Sequence, residues 1–350
     1  MSHRVIVVAT SSKARGGINS VIKAYSQTEL WKNWQCFWLE THTDKSILLK
    51  IWFFTRSFFL FIIKIPFYSI VHIHLSEPPS AFRKSIFLNI AKLFDKIIIV
   101  HFHSFSTKTT IDGSSQNLYH KLFLSSDKII VLSNQWKSWI IQKWPELTDK
   151  IEVLYNPCPL VSLDSHQIIT KTILYAGALN ARKGYADLIR SFAMIADKNK
   201  EWKLVFAGNG ELVKARQLVV ELNIQNQVVF KGWVSGKEKN EIFQNASIFC
   251  LPSYAEGFPM AVLEAWAYGI PVITTPVGGL PDILIDGGNA LVIKPGDLMG
   301  ISSAAEKLIG DESLRKRLSE ESLKLSNTIF SLKEITRQLD TIYTKLINQM

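Results

Sequence analysis

The chain has 350 residues, 47% of them hydrophobic, and a formal net charge of +10. That length points to two domains, and the apolar content excludes a disordered chain. The charge implies an anionic partner; an anionic membrane and a phosphorylated substrate fit it, and nucleic acid ranks last because no nucleic-acid-binding motif accompanies it.

The N-terminus, Met1-Ser-His-Arg-Val-Ile-Val-Val-Ala9, has too short an apolar run for a secretory signal and reads as a first core strand, Val5–Ala9. Ser11-Ser-Lys-Ala-Arg-Gly-Gly-Ile18 follows and opens a helix. With only Gly16 and Gly17 it is not the dinucleotide glycine fingerprint. A Gly-Gly turn at the carboxyl end of a first strand still brings backbone N–H groups to where such sheets bind ligands. Ile47 to Phe67 is aliphatic and aromatic, interrupted by Lys50, Arg56, Lys64 and Pro66. Its longest uncharged run is shorter than the roughly 18–20 residues a spanning helix needs. Two readings stay open: a buried helix with snorkelling cations, or a basic aromatic face resting on a membrane surface.

Further strands are expected at Ser69–His74, Lys96–Phe102, Lys128–Leu132 and Ile151–Leu154, with helices between them. Continuous β-branched runs such as Ile97-Ile-Ile-Val100 suit strands buried on both faces. Strand alternation puts His72 and His74 on one face, and likewise His101 and His103. No carboxylate or cysteine stands at ligand spacing, so these pairs suit a polar cleft or a core hydrogen bond better than a metal. His103, at a strand's carboxyl end, is the candidate for ligand contact.

Asn156-Pro-Cys-Pro159 through Asp164-Ser-His-Gln167 is polar and proline-bearing and reads as a linker. The alternation then restarts with strands at Thr172–Ala176, Trp202–Ala207, Val228–Phe230, Ile248–Leu251 and Pro271–Thr274, and ends in helices, the last near Leu332–Ile347. The pattern predicts two parallel doubly wound sheets. The cysteines (Cys36, Cys158, Cys250) are far apart and without metal spacing, so they read as thiols of a reducing compartment.

Several turns of the second half lie at expected carboxyl ends of strands. Leu174-Tyr-Ala-Gly-Ala-Leu-Asn-Ala-Arg-Lys-Gly184 places Arg182 and Lys183 before a helix, where they can neutralise a diphosphate. Val205-Phe-Ala-Gly-Asn-Gly-Glu211 and Pro276-Val-Gly-Gly-Leu-Pro-Asp282 are further glycine turns. The richest segment is Ser253-Tyr-Ala-Glu-Gly-Phe-Pro-Met-Ala-Val-Leu-Glu264, with carboxylates Glu256 and Glu264 around a helix start. Gly257 permits close backbone approach, and Pro259 suits the first helical position. The helix N-terminus favours an anion, and flanking carboxylates can accept hydrogen bonds from sugar hydroxyls. These parts describe a pocket for a phosphate-linked sugar.

On these motifs the chain resembles the retaining GT-B glycosyltransferases of the "glycosyl transferases group 1" family, family four of the sequence classification. The resemblance covers nearly the whole chain and is strongest from Leu174 to Asp297. It implies two Rossmann-like doubly wound domains facing a cleft: 1–160 binding the acceptor, 168–328 binding a nucleotide-sugar, and a helix over 329–350 crossing back to the N-terminal domain. By similarity, Glu264 holds the ribose hydroxyls and Glu256 contacts the transferred sugar. Gly257 and Phe258 supply backbone N–H groups beside Pro259 and Met260, and Lys183 pairs with the diphosphate. Gly16, Gly17, Gly177, Gly208 and Asn209 complete the donor site, and His103 faces the donor sugar. Where the family has Arg after the strand-ending glycine, this chain has Ala178; Arg182 is expected to compensate.

Ile70-Val-His-Ile-His-Leu-Ser-Glu-Pro-Pro-Ser-Ala-Phe-Arg-Lys84 resembles members that build bacterial surface polysaccharides on undecaprenyl-diphosphate-linked or lipopolysaccharide acceptors. His72, His74 and Arg83 are the acceptor-side candidates. The resemblance implies sugar transfer from a nucleotide-sugar, UDP-linked, with retention; Glu256 is not placed as an obvious attacking nucleophile, so front-face displacement through an ion pair is the expected route. No cofactor and no metal are expected, and the placement is cytoplasmic and peripheral on the inner membrane face. The competing readings are a sugar-nucleotide epimerase or phosphorylase on the same fold, and a non-catalytic sugar- or lipid-binding protein.

Overall fold

A computed structural model describes residues 3–14, 16–44, 46–161 and 170–349. The chain forms two compact units: Met1–Pro157 with Leu332–Met350, and Cys158–Ser331. Most of the expected linker, residues 162–169, lies outside the described residues.

The first unit runs β1 (Val5–Ala9), α1 (Gly17–Tyr25), α2 (Glu29–Asn33), β2 (Phe37–Glu40), α3 (Ile47–Lys64), β3 (Ile70–Leu75) and α4 (Pro78–Leu93). It continues with β4 (Ile97–Phe102), α5 (Gln116–Leu124), β5 (Lys128–Val131), α6 (Asn134–Lys143) and β6 (Ile151–Val153). The strands form one parallel sheet in the order β2-β1-β3-β4-β5-β6. The central strands β1, β3 and β4 are buried along their whole length, as continuous apolar runs require when helices cover both faces. β2 was not expected from the sequence. It is a short edge strand whose Phe37, Trp38 and Glu40 are only half-buried, so its period is weak.

The sequence left α3 between a buried and a surface helix. Within it only Ser57 and Phe61 are buried, while Leu48 is 79% exposed, Trp52 55% and Phe59 61%. The buried reading is therefore overturned: the helix is apolar nearly all round, and one narrow stripe suffices to seat it. Among the described residues no helix is long and apolar enough to cross a membrane.

The second unit runs β7 (Thr170–Ala176), α7 (Tyr185–Ala196), β8 (Lys203–Ala207), α8 (Leu212–Glu221), β9 (Val228–Gly232), α9 (Gly236–Gln244) and β10 (Ala246–Leu251). Then come α10 (Met260–Ala267), β11 (Val272–Thr274), β12 (Leu291–Val292), α11 (Leu298–Gly310) and α12 (Glu312–Asn327). Its parallel sheet has the order β12-β11-β10-β7-β8-β9. The chain winds outward from β7 through β8 to β9, then returns to lay β10 on the other side of β7. That reversal between β7 and β10 is the switch point at which such sheets leave a crevice for ligands.

The last helix, α13 (Leu332–Asn348), belongs to the first unit. Leu332, Ile335, Leu339, Ile342, Tyr343 and Leu346 make its buried stripe at helical spacing. Trp34 meets the Tyr343 ring edge-on at 5.2 Å and donates from Nε1 to Asp340 Oδ1 at 2.6 Å.

Candidate functional site

In the second unit the loops after β7 and β10 flank the switch point, and they supply the two halves of a charged cluster. After β7 the chain makes one 3-10 turn, Ala181–Lys183, capped by Asn180, whose side chain accepts from the Lys183 N–H. The turn ends at Gly184 with φ +68°, a left-handed conformation that opens α7. A Cβ on Gly184 would stand 2.2 Å from the Pro252 carbonyl oxygen, so the β7 loop presses backbone to backbone on the β10 loop. Tyr254 N–H donates to Arg182 O at 2.7 Å across the same seam. This contact aims Arg182 and Lys183 at Glu256.

Glu256 is buried, its side chain 7% exposed. Its Oε1 accepts from Lys183 Nζ at 2.5 Å and from Ser253 Oγ at 2.7 Å, and its Oε2 accepts from Arg182 Nη1 at 3.3 Å. Arg182 Nη1 also donates to Ala255 O at 2.6 Å. Two cations around one carboxylate leave a local surplus of positive charge beside the start of α10. Three donors on one carboxylate also draw electron density from it.

Pro259 occupies the N-cap of α10, in an extended conformation with ψ 107°, and the helix begins at Met260. The sequence placed it one residue too far inside. As the capping residue it has no side-chain oxygen to offer, and no side-chain cap bond forms, so the first N–H groups of α10 keep their attraction for an anion. Phe258 turns its ring into the core against Phe330, centroids 5.5 Å apart, so its side chain packs rather than faces a ligand. Glu264 follows one turn in, and its Oε1 accepts from Lys239 Nζ at 2.6 Å. Lys239 on α9 and Ser253 were missed by sequence reasoning: Lys239 stands 25 positions before Glu264, and a serine three positions before Glu256 is not diagnostic by type.

The β8 turn closes against the β7 loop. Leu179 N–H donates to Asn209 O at 2.8 Å and Gly177 N–H to Ala207 O at 3.0 Å. A Cβ on Gly208 would fall 1.8 Å from Gly177 O, which fixes glycine there. Gly177, Gly208 and Asn209 therefore lie in one backbone seam beside Lys183, whose Cε is 4.0 Å from a Cβ built on Gly177. Ala178 takes no side-chain part; its carbonyl accepts from Tyr175 Oη at 2.9 Å. Arg182, by contrast, joins Lys183 on the same carboxylate.

In the first unit, Gly16 caps α1 with φ +129° and Gly17 is the first helical residue. Glu40, at the end of β2, reaches this turn: its Oε1 accepts from Ser12 N–H at 2.5 Å and Ser11 Oγ at 3.3 Å. Nothing in the local pattern announces that carboxylate, because the edge strand carrying it is too short to show a period.

The two histidine pairs form one array. In-register pairing of β3 with β4 sets His74 beside His101. All four rings stack, from 4.2 Å between the centroids of His101 and His103 to 5.4 Å between those of His72 and His101. His72 Nδ1 meets Tyr343 Oη at 2.6 Å and its Nε2 meets His101 Nδ1 at 3.3 Å; His74 Nδ1 meets His103 Nε2 at 2.9 Å. His72, His74 and His101 are fully buried, whereas His103 is half-buried. Burial lowers the pKa of His72 and of His103 to about 3, and holds His74 and His101 well below the ordinary value. Lys84 of α4 is also fully buried; its Nζ donates to the His74 carbonyl and, at 3.0 Å, to Ser80 Oγ. Burial and the neighbouring Arg83 bring its pKa down to about 7. Ligand atoms of His72, His74 and His101 lie within 4.8 Å of one another. Arg83 donates from Nη1 to Pro79 O at 2.8 Å on the exposed side of α4.

Residues 167–325 match the family described as Glycosyl transferases group 1. A capsular polysaccharide biosynthesis glycosyltransferase, CapM, of Staphylococcus aureus is 29% identical over 250 residues, covering 69% of this chain and 63% of CapM. A 2-deoxystreptamine N-acetyl-D-glucosaminyltransferase of Niallia circulans is 28% identical over 239 residues, covering 68% of this chain and 56% of the relative. The chain thus spans less than two thirds of the length of these curated relatives. Among solved structures, Anabaena Alr3699/HepE in complex with UDP and glucose superimposes with a TM-score of 0.78 at 14% identity, covering 98% of this chain and 99% of that one. Sucrose-phosphate synthase from Thermosynechococcus elongatus gives 0.76 at 17% identity, covering 99% and 100%. At such identities the likeness establishes the fold, two Rossmann-like units of the GT-B class: the strand pattern led one to expect the doubly wound sheets, and the family resemblance the GT-B class.

Proposed function

We propose that the protein is a retaining glycosyltransferase that moves a sugar from a UDP-linked donor to a hydroxyl of a lipid-linked saccharide, in bacterial surface-polysaccharide biosynthesis. The observation that carries this reading is the Lys183–Arg182–Glu256 cluster at the β7–β10 switch point, beside the N-terminus of α10. The family match of residues 167–325 and the printed activities of the relatives support it.

In this reading Lys183, Arg182 and the first N–H groups of α10 take the diphosphate, and Gly177, Gly208 and Asn209 let the backbone come close. Glu264 accepts from the ribose hydroxyls, Glu256 from a hydroxyl of the transferred sugar, and His103 also serves that sugar. As the bond from C1 to the phosphate oxygen breaks, negative charge grows on the leaving diphosphate, and the two cations stabilise it. A new bond forms from C1 to the acceptor oxygen on the same face, and the acceptor proton leaves with the diphosphate. Removing one such fixed donor typically costs about 10²–10³-fold in turnover. Glu256, held by three donors, is a poor nucleophile, which favours front-face displacement over a covalent intermediate. Charge on the leaving group is met by Lys183, Arg182 and the helix, so the proposed reaction needs no metal ion and should persist in chelator.

The acceptor side is proposed to work at an anionic membrane surface on the cytoplasmic side. The exposed apolar side chains of α3 sit among Lys50, Arg56 and Lys64, and the helix carries no acidic residue. An apolar face rimmed by cations suits the boundary between head groups and acyl chains. The deciding experiment is turnover of a panel of nucleotide-sugars by the purified protein with membrane extract, the extended lipid being read by mass spectrometry. Release of the nucleotide with sugar on a lipid supports the proposal; no turnover of any donor rejects it. Co-sedimentation with vesicles that are anionic or neutral tests the membrane part: equal partitioning before and after neutralising Lys50, Arg56 and Lys64 would remove it.

A further inference from the structure

We propose that His74 is a positioning residue: it donates from Nδ1 to Nε2 of His103 and so fixes His103 as the tautomer protonated on Nδ1, a hydrogen-bond donor toward the transferred sugar. This rests on the reading that His103 serves that sugar. A neutral imidazole carries one N–H, so a hydrogen bond at one nitrogen decides the state of the other. The 2.9 Å contact between His74 Nδ1 and His103 Nε2 holds a single proton, given by one ring or the other.

The choice is made by the far side of His74. Its Nε2 is buried and has no hydrogen-bond partner. If His74 were protonated there, an N–H would be buried with nothing to receive it. A buried lone pair without a partner is tolerated better than a buried orphan donor. His74 therefore carries its proton on Nδ1 and gives it to His103. His103 Nε2 accepts, and its own proton stands on Nδ1. Both rings are neutral at ordinary pH, since burial holds them there. The residue thus acts as a neutral donor, not as an acid or a base. A metal held by His72, His74 and His101 is the competing use of these rings. His72 Nε2 and His74 Nδ1 already face other imidazole nitrogens, whereas His74 Nε2 and His101 Nε2 have no partner, so metal binding is the outcome the test must separate.

The test uses the full chain labelled with 15N on histidine. Long-range proton–nitrogen correlation should show His103 protonated on Nδ1 in the native protein. In His74→Phe, which keeps an aromatic ring in the stack and loses the donor, that signature should vanish. Turnover should fall roughly tenfold or more, while nucleotide-sugar affinity stays within about twofold, because the donor cluster is in the other unit. His74→Asn, whose side-chain N–H can replace Nδ1–H, should keep more turnover than His74→Phe. Native His103 protonated on Nε2, or native turnover in His74→Phe, overturns the proposal. So does stoichiometric Zn²⁺ or Ni²⁺ binding that raises Tm and is lost in His74→Phe. A native protein with the Nδ1 signature and no turnover of any donor would refute the functional reading instead, and would leave the tautomer assignment standing.

Discussion

Replacing Lys183 by Met keeps the length of the side chain and removes one of three donors from a buried carboxylate. The Lys183 side chain is 14% exposed and that of Glu256 7%, so solvent screens the pair little. Breaking a buried pair commonly costs about 3–5 kcal/mol, because the remaining charge is left without its partner. Here Ser253 at 2.7 Å and Arg182 at 3.3 Å still hold Glu256, so about 2 kcal/mol is expected. For a unit of this size that lowers Tm by about 4–8 °C. Glu256→Gln alone should also destabilise, by leaving Lys183 and Arg182 as adjacent cations. The double variant should lose less than the sum, with a coupling of about 1 kcal/mol or more. Scanning calorimetry of the full chain, following the transition of the second unit, measures all four corners of the cycle. Additivity within about 0.5 kcal/mol would refute the claim that this pair is energetically coupled.

Gly184→Ala should destabilise the second unit by at least about 2 kcal/mol, since a left-handed φ and a clash with the Pro252 carbonyl act together; urea unfolding measures it. Tyr343→Phe deletes the phenol that bonds His72 Nδ1 at 2.6 Å and should cost about 1–2 kcal/mol, seen as faster hydrogen exchange in α13. Lys84 gives a pH signature. Its folded pKa of about 7 lies below its ordinary 10.5, so between these values the unfolded chain binds the extra proton and stability rises with pH. From pH 7 to 9 the penalty of burying Lys84 should shrink by about 2 kcal/mol. Lys84→Met should lose that share of the pH dependence, and equal slopes for the two proteins in urea titrations would contradict it.

The sheets were legible because strands buried on both faces write unbroken apolar runs, as in β1, β4 and β10. β2 and β12 were not, being short edge strands of four and two residues whose pattern is too brief to show a period. At the candidate site the residue types were legible and the pairings were not. Glu256 and Lys183 stand 73 positions apart, and only the order of β7 beside β10 brings their loops together. Alternation put each histidine pair on one face, yet the register that stacks the pairs belongs to β3 and β4 jointly. Lys84 was invisible for a simpler reason: a lysine on a helix is ordinarily solvated, and nothing local announces a buried one. The α3 case ran the other way, since composition alone does not say which apolar residues find a core.

The return of α13 to the first unit makes that unit discontinuous in the chain, with the whole of the second inserted before its last helix. During synthesis the opening sheet is made first, yet it waits for its closing helix until every strand of the insert has left the ribosome. The insert can complete its core sooner, having no later segment to await. A nonsense lesion near the 3′ end of the message would therefore strike the earliest-made part of the product: Tyr343 would never reach His72, and the imidazole stack would lose its phenolic end stop.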